Sequence, residues 1–451
     1  MRKLLCGVMI LALTLAAFAG CGQGDSSTSP AQSSPAADAS SSPGSAEGVT
    51  ISIFSMFAVP DEDANSRAFT AQMEKFQKDF PGVTVEQEAV KHDEYETKMK
   101  TYVAGGSLPD IFQVKGTMIP QLADDGDIIE SQVLLDLVPG WQGEYKGGVF
   151  DDFMYAGKAW AMPFQMGNNH NIYWNSDIFA ECGINEFPKT WDDFLNAIET
   201  LKSNGYVPIS MGNKGQWLCP SLIFNTIVYR YVPVDWYDSL KNNTGAKFTD
   251  SEFVAATACM QDLAAMGAFN TDMNSIDQQQ MRTLYYNKQA AMMIDGFWGV
   301  AVVETEAPED VLAATRLDQF PAIPDGNGIG NINQAAAGWG WVVTTGSEDA
   351  KLQAAAGLVH YITGPDYANV VVANGGMPAT DPSFVDESKL TPLYRELLRV
   401  NGESVYAPVF DVQLNPQVVD AFYSNLQDVL IGTMTPERYS ELLQKEMDDS
   451  R

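Results

Sequence analysis

The chain of 451 residues has few of the side chains that enzymes most often use for covalent or metal chemistry. It contains five cysteines and only three histidines, His92, His170 and His360, which lie far apart. It has no Gly-x-Ser-x-Gly turn, no His-Glu-x-x-His pair, no Cys-x-x-Cys pair and no Walker loop. The sequence therefore predicts no catalytic residue, no metal site and no cofactor.

One short segment is similar to a known cation site, but it is incomplete. The run Asp61-Glu-Asp-Ala-Asn65 resembles the first ligands of a calcium loop. Ser66 stands where that loop needs glycine, and Gln72 stands where it needs a bidentate glutamate. We therefore predict no calcium site in this segment.

Basic residues are also scarce. The sequence has 27 lysines and arginines against 58 aspartates and glutamates, which gives a formal net charge of −31. A surface with this excess of negative charge repels nucleic acids and anionic lipids. We therefore expect no nucleic acid as a partner, and we attribute the charge to solubility outside the cell.

The one long apolar run lies at the N-terminus. Arg2 and Lys3 precede the apolar residues 4–19, and Gly20 and Cys21 follow. This order of a basic, an apolar and a small-residue segment is typical of a secretory signal rather than of a membrane-spanning helix. The sequence therefore predicts a signal peptide over residues 1–20.

The residues around the cleavage site indicate a lipid anchor. Residues 18–21, Phe-Ala-Gly-Cys, resemble the bacterial lipobox, in which Cys21 becomes the lipidated first residue of the mature protein. Residues 22–48 are rich in Ser, Ala, Pro and Gly, so we expect residues 21–48 to be a lipidated cysteine and a flexible tether. This predicts a protein on the outer face of the cytoplasmic membrane, at the cell surface or in the periplasm, and attached through lipid only. The alternative is ordinary secretion, with Cys21 an incidental thiol.

The cysteines that follow the leader are too few to hold a body of about 400 residues together. Cys182, Cys219 and Cys259 are an odd number, so at least one is free or pairs between chains. The burial of apolar side chains must therefore supply the stability, and this length favours two domains.

The first third of the body alternates between strand and helix patterns. Residues 49–54, 83–85 and 109–112 have strand character, and amphipathic helices are predicted between them, one ending at Pro81 and the next at Gly105-Gly106. Strand, helix, strand, helix, strand is typical of an α/β protein with a parallel sheet.

Residues 290–299 contain the clearest candidate for a binding site. Ala-Ala-Met-Met-Ile has the composition of a strand buried on both faces, and Asp295-Gly296 ends it as a turn. Phe297 and Trp298 follow at once. Ligands of open α/β sheets bind beyond the carboxyl ends of the strands, so Trp298 is either a binding wall or a plug at the end of the core.

Other aromatic and amide residues in loops extend this pattern. Residues 168–171, Asn-Asn-His-Asn, form a polar cluster directly before a strand, and they lie either in solvent or in a ligand cleft. Trp217 and Trp339 lie in Gly-rich segments. Indole rings stack on the apolar face of a pyranose, and amides and carboxylates bind its hydroxyls. Without an activated nucleophile, this composition predicts carbohydrate binding rather than turnover.

Six stretches, in order along the chain, resemble one family. The chain is similar to the lipoprotein members of the family 1 extracellular solute-binding proteins of ABC importers, which are related to maltose-binding protein. The stretches that carry the resemblance cover residues 106–112, 172–179, 188–194, 287–296, 338–343 and 375–379.

The resemblance implies a two-lobed α/β fold of the periplasmic-binding-protein type II, with a ligand cleft between lobes joined by a hinge. Lobe 1 would comprise residues 49–167 and 320–376, and lobe 2 would comprise residues 168–319 and 377–451. The polar cluster at residues 168–171 then falls at the first crossing between the lobes.

The resemblance also implies the site residues. Trp298 matches the family's sugar-stacking aromatic, and Asn169 and His170 match polar positions on the cleft floor. Phe57, Asp61 and Lys115 resemble contacts from lobe 1. The full set of predicted ligand-binding residues is Trp298, Phe297, Asn169, His170, Trp217, Trp339, Tyr423, Phe57, Asp61 and Lys115.

We therefore predict a receptor, not an enzyme, that captures a carbohydrate by hinge closure and delivers it to the permease subunits of an ABC importer. One alternative is a binding protein for another solute, such as a glycerol phosphodiester, although only Lys115 among the predicted residues could bind a phosphate. The other is a secreted polysaccharide hydrolase, which needs a pair of carboxylates that the sequence does not identify.

Overall fold

A computed structural model describes residues 48–60, 63–327, 329–383 and 386–450. The predicted signal peptide, the lipidation at Cys21 and the site residue Asp61 lie outside these residues. The strands of the described part are β1 (Val49–Ser55), β2 (Val83–Ala89), β3 (Ile111–Lys115), β4 (Met154–Tyr155), β5 (Lys158–Ala159), β6 (Met162–Pro163), β7 (Gly167–Asn168), β8 (Asn171–Asn175), β9 (Val207–Ser210), β10 (Ala290–Asp295), β11 (Thr315–Asp318), β12 (Ile332–Ala336), β13 (Trp339–Val343) and β14 (Val405–Ala407).

Helices cover the faces of the sheets. They are α1 (Ala64–Asp79), α2 (His92–Gly105), α3 (Ile119–Asp124), α4 (Ser131–Leu137), α5 (Ser176–Glu181), α6 (Trp191–Ser203), α7 (Asn225–Tyr231), α8 (Trp236–Lys241), α9 (Ser251–Ala265), α10 (Gln278–Tyr286), α11 (Gly299–Glu306), α12 (Glu309–Ala314), α13 (Asp349–Tyr361), α14 (Pro365–Ala373), α15 (Pro392–Glu403), α16 (Phe410–Gln413), α17 (Pro416–Leu430) and α18 (Pro436–Asp449).

The first large sheet has the strand order β2-β1-β3-β13-β6. β1 is parallel to β2 and β3, as the alternating pattern predicted, and β13 returns antiparallel to β3. Asp63 caps the start of α1: its carboxylate accepts a hydrogen bond from the Ser66 backbone N–H at 2.7 Å. The helix buries Phe69, Met73 and Phe76, which its period of 3.6 residues places on one face.

The second large sheet has the strand order β11-β8-β10-β9. Every residue of β10 is buried, which confirms the prediction of a strand covered on both faces. β10 is parallel to β9 and antiparallel to β8, so the carboxyl end of β10 lies beside the amino end of β8. Trp298 and the polar residues just before β8 are thereby brought to the same edge of this sheet.

Buried apolar side chains form two large clusters. The first core takes its residues mainly from 51–164 and 337–371, and the second core takes them from 172–332 and 393–447. The predicted α/β, two-lobed fold is confirmed by this arrangement.

Cys182, Cys219 and Cys259 are all free thiols, so burial and not a disulfide stabilises the body. In the ranges that the structure describes, no helix combines the length and the apolar character needed to cross a bilayer.

The chain passes between the two cores through a small third sheet of order β14-β12-β7. Asp152 ties this junction together: its Oδ2 accepts hydrogen bonds from the backbone of Ala337 at 2.8 Å and Gly338 at 3.1 Å. Its Oδ1 accepts one from Gln413 Nε2 at 3.2 Å. Burial raises the pKa of Asp152 despite these donors. A single carboxyl thus connects the first core, the end of β12 and α16.

Candidate functional site

A cavity of about 150 Å³ lies between the two cores, and residues of both line it. Phe57 and Phe164 come from the first core, whereas Trp217 and Trp298 pack against the second. The junction contributes Ala336 and its neighbours. Clefts of this kind, with apolar walls and a few placed polar groups, are the usual form of a small-molecule site.

Six of the ten predicted ligand-binding residues line this cavity. Segments that are far apart in sequence are brought together here, because the carboxyl ends of β3 and β10 and the start of β13 all reach the cavity. The six residues are Phe57, Lys115, Asn169, Trp217, Trp298 and Trp339.

Trp298 lies just after β10 and is half-buried. Its indole lies directly beside Gly296, where an added Cβ would be 2.4 Å from the ring. Only glycine therefore leaves room for this rotamer. The Trp298 ring is 6.3 Å from the Trp217 ring, so the two indoles form one wall of the cavity.

A series of aromatic rings continues from Trp217 into the first core. The His92 ring is 5.0 Å from Trp217 and 5.8 Å from Trp339. Trp217 Nε1 also donates a hydrogen bond to Asp93 Oδ1 at 3.3 Å. The pKa of Asp93 is lowered, first by the adjacent His92 and further by this indole donor. Trp217 therefore contacts α2 across the cavity.

Lys115 ends β3 and is buried among carboxylates. Its Nζ is 2.6 Å from Glu96 Oε1 and 3.7 Å from Asp411 Oδ2. Burial alone would lower the pKa of Lys115, but the two carboxylates raise it above its ordinary value. The ammonium therefore stays charged, and its charge is neutralised inside the protein.

Tyr423 does not line the cavity but contacts residues that do. Its hydroxyl donates a hydrogen bond to Asp411 Oδ2 and lies 3.4 Å from Ser221 Oγ. Asp411 and Ser221 both line the cavity. Tyr423 thus acts on the site through these two side chains.

Two predicted residues, Phe297 and His170, lie in the interior and not at the cavity, which corrects their assignment to it. The fully buried Phe297 ring packs on Gly167, where an added Cβ would be 2.6 Å from it. His170 is also fully buried; its Nδ1 is 2.9 Å from the Leu222 carbonyl oxygen, and burial lowers its pKa to about 3. His170 thus faces Leu222 in the interior, whereas Asn169, at the bend between β7 and β8, lines the cavity.

Sequence reasoning missed two polar residues of the cavity, Gln278 and Arg282. They are four residues apart on α10 and so share one face. Both contact the buried Asp295: Gln278 Nε2 donates to Oδ1 at 2.8 Å, and Arg282 Nε donates to Oδ2 at 2.9 Å. The available signal is their spacing in the helix before β10, together with Asp295, whose position in the sequence suggests only a turn.

A second missed group comes from the first core. Asn65 Nδ2 donates to Gln165 Oε1 at 2.7 Å, and Gln165 Nε2 donates to the Ala337 carbonyl at 3.1 Å. Tyr367 donates to Asn65 Oδ1 at 2.9 Å. These bonds fix the amides of Asn65 and Gln165 at the cavity wall.

In the described part of the chain, no group of three or more His, Cys, Asp or Glu side chains is arranged to hold a metal ion.

The two-lobed fold and the cavity between its cores define the class of two-domain solute-binding proteins. A family model described as bacterial extracellular solute-binding protein matches residues 60–369. The chain belongs to this family.

Individual relatives agree with that assignment. The chain is 25% identical over 272 residues to the diacetylchitobiose binding protein DasA of Streptomyces coelicolor, an alignment that covers 58% of this chain and 60% of that protein. The chain spans between 52% and 61% of the length of such curated relatives.

Solved structures share the fold. A chitin oligosaccharide binding protein superposes with a TM-score of 0.80 at 22% identity, over 89% of this chain and 98% of that one. The maltose-bound MalE3 of T. maritima gives a TM-score of 0.74 at 19% identity, over 89% of this chain and all of that one. At these identities the superpositions establish the fold.

Proposed function

We propose that this protein is the extracellular receptor of an ABC importer, which captures a carbohydrate by hinge closure and delivers it to the permease. The observation that carries the proposal is the cavity lined by Trp298 and Trp217 from one core and by Trp339 from the other. Indole faces bind the apolar side of a sugar ring. Contacts from both cores are what a ligand needs in order to favour a closed state.

The relatives support a sugar as the ligand. One is named for diacetylchitobiose, one for chitin oligosaccharides, and one is bound to maltose. These names differ, so they support the class of ligand and not one sugar. The family consists of binding proteins, and we accordingly propose that this chain does not turn its ligand over.

We propose that the two cores are the two lobes, with lobe 1 formed by residues 49–167 and 337–376 and lobe 2 by residues 168–332 and 377–451. The third sheet and Asp152 then form the hinge region. This division is supported by the membership of the two cores. Phe320 and Ile332 pack in the second core, so we assign the segment between them to lobe 2 and not to lobe 1, where the resemblance had implied it.

We also propose that a signal peptide over residues 1–20 exports the protein, and that lipidated Cys21 and a tether over residues 21–48 hold it at the membrane. The support is the composition of the N-terminus. Membership of an extracellular family agrees with export. Metabolic labelling with a radioactive fatty acid tests the anchor, and Cys21→Ser should abolish the label.

The geometry disfavours the two rival functions. A phosphodiester needs cationic donors, but Lys115 and Arg282 are both paired with carboxylates. A glycosidase needs two carboxylates free to act as acid and base. Of the cavity carboxylates, Asp63 caps α1, and Asp411 pairs with Lys115 and Tyr423.

A melting-temperature screen of residues 49–451 against a panel of sugars tests the receptor function. A sugar at a hundred times its dissociation constant should stabilise the protein by about 2.7 kcal/mol. Trp298→Ala should abolish the shift, whereas Trp160→Ala, which replaces a half-buried indole that does not line the cavity, should retain it. A shift with a phosphodiester and with no sugar would contradict the proposal.

A further inference from the structure

A group of three charged side chains lies at the wall of the cavity. Lys115 and Asp411, which line the cavity, are 7% and 5% exposed, and Glu96 extends from α2 to the same ammonium. Two carboxylates therefore face one cation. The group, which we call the Lys115 cluster, has an excess of one negative charge.

The two oxygens of Asp411 differ in their surroundings. Oδ2 accepts the hydrogen bond from the Tyr423 hydroxyl and faces Lys115 Nζ. Oδ1 is buried and has no hydrogen-bond partner. A buried carboxylate oxygen without a donor is costly, and such oxygens are normally satisfied. Asp411 lines the cavity, so this oxygen retains acceptor capacity for a donor on a molecule that fills the cavity.

The position of Asp411 relative to Lys115 is fixed by close backbone packing. Gly116 follows Lys115 directly, and an added Cβ on Gly116 would lie 2.5 Å from the carbonyl oxygen of Val412. α16 therefore packs against the chain at the end of β3. Val409 and Val412, on either side of Asp411, form a small apolar cluster with Ala336.

The remaining permanent cation among the described lining residues does not offset this negative charge. Arg282 Nε is 2.9 Å from Asp295 Oδ2, and the carboxylate is fully buried. Gln278 donates to the other oxygen of the same carboxylate. The Arg282 charge is thus compensated within the protein, so it does not offset the repulsion that a ligand carboxylate near Asp411 would meet.

We propose that Asp411 determines the specificity of this cavity, by accepting a hydrogen bond at Oδ1 from a hydroxyl or amino group of the bound saccharide and by repelling saccharides that carry a carboxylate. The inference rests on the proposed function and narrows its ligand to neutral or amine-bearing saccharides. Tyr423 is a positioning residue that holds Asp411 through Oδ2. Ser221, beside Tyr423, offers a further hydroxyl at the same end of the cavity.

Isothermal titration calorimetry with the neutral sugar identified by the melting screen, its amino analogue and its uronic-acid analogue tests the inference. The wild-type protein should bind the first two and should bind the uronate at least about tenfold more weakly. Asp411→Asn should bind the neutral sugar at least about tenfold more weakly than the wild type does, because a hydrogen bond to a charged group is lost. The same variant should bring the uronate within about threefold of the neutral sugar.

Two further variants separate charge from alignment. Asp420→Asn removes one negative charge from an exposed residue on α17, and it should leave the ratio of uronate to neutral affinity unchanged. Tyr423→Phe keeps the charge of Asp411 but removes the hydrogen-bond donor to Oδ2. This variant should therefore bind the neutral sugar more weakly than the wild type does, and it should still exclude the uronate. If Asp411→Asn does not fold, the ratio of uronate affinity to neutral-sugar affinity in the wild type and in Tyr423→Phe decides whether Asp411 sets the specificity.

The outcomes distinguish this inference from the function on which it rests. A wild-type protein that binds neutral sugar and uronate equally well overturns the role of Asp411 and leaves the receptor function in place. An unchanged ratio in a folded Asp411→Asn does the same. A wild-type protein that binds no saccharide overturns the receptor function and this inference together.

Discussion

Lys115 and Trp339 lie opposite each other in the register of β3 and β13, and the Lys115 ammonium is 5.2 Å from the centre of the Trp339 ring. A cation at this distance from an indole is attracted to the ring face. Trp339 is thus held from one side by Lys115, while Tyr95 packs edge-on against it at 5.4 Å. The ring is therefore held in a fixed position where it lines the cavity.

The first prediction concerns this surface. Trp339→Ala should weaken sugar binding by about tenfold, because an aromatic stacking contact contributes about 1 kcal/mol beyond the burial of its area. Trp339→Phe should recover part of the affinity. Calorimetry with the sugar from the melting screen measures both, and Trp160→Ala is the control. Equal affinities of Trp339→Ala and the wild type would remove Trp339 from the binding surface.

The second prediction concerns Arg230, which is fully buried and has no carboxylate among its hydrogen-bond partners. Its guanidinium donates five hydrogen bonds, to the carbonyls of Thr226, Phe320, Pro321, Gly330 and Ile332. These bonds join α7 to the chain between β11 and β12.

Arg230→Met should lower the free energy of unfolding by about 3 kcal/mol or more, since several buried carbonyls lose their donors at once. Urea unfolding measures the loss. Arg438→Met, on an exposed turn of α18, should change the free energy of unfolding by less than about 0.5 kcal/mol. Similar values for the two variants would show that the five bonds contribute little.

The contacts of Arg230 also show which part of the fold the sequence could predict. Local patterns identified β1, β2, β3, β10 and the helices α1 and α2, because strand and helix periods are set by neighbouring residues. The two-lobed class was implied only by the resemblance to the family. The position of the loop that Arg230 holds between β11 and β12 is not set by neighbouring residues in this way. Its anchor lies about a hundred residues earlier, and no local pattern encodes such a contact.

The same limit applies to the cavity. Trp298 and Trp217 could be predicted because a large aromatic after a strand or in a Gly-rich loop is conspicuous. The choice between Asn169 and His170 depends on which way a short extended segment faces, and this is decided by pairing with β12. Asp411 could not be predicted at all, since its role arises from contacts with Lys115 and the cavity, which lie far from it in sequence.

The third prediction concerns the response of the Lys115 cluster to pH. The charge of Lys115 is the main cause that lowers the pKa of Glu96, and burial opposes it. A carboxyl whose pKa is lower in the folded state stabilises that state above its ordinary pKa, which is 4.5 for Glu. The contribution is therefore complete at neutral pH and is lost as the pH falls through and below that value.

Melting temperatures of the wild type and Glu96→Gln should therefore differ by a constant amount from about pH 6 to pH 8 and converge below about pH 4. On the alkaline side, the raised pKa of Lys115 keeps the pair intact until the pH exceeds the ordinary value for lysine. Glu437→Gln, on α18, is the control for the general effect of acid. A difference that persists unchanged at low pH would contradict the ion pair as its source.

The last prediction concerns Gly296, which sets the position of Trp298. An added Cβ would lie 2.4 Å from the Trp298 ring, which is closer than any carbon contact allows, so Gly296→Ala must displace the indole. We expect the affinity for the sugar to fall about as far as it does in Trp298→Ala. The free energy of unfolding should fall by less than it would for a cavity in the core. Gly143→Ala, where the added Cβ meets nothing within 4 Å, is the matched control. Quenching of tryptophan fluorescence by acrylamide should increase in Gly296→Ala, because the displaced ring becomes more exposed. Unchanged quenching together with unchanged sugar affinity would contradict the prediction. It would show that the indole has another allowed position at the cavity wall.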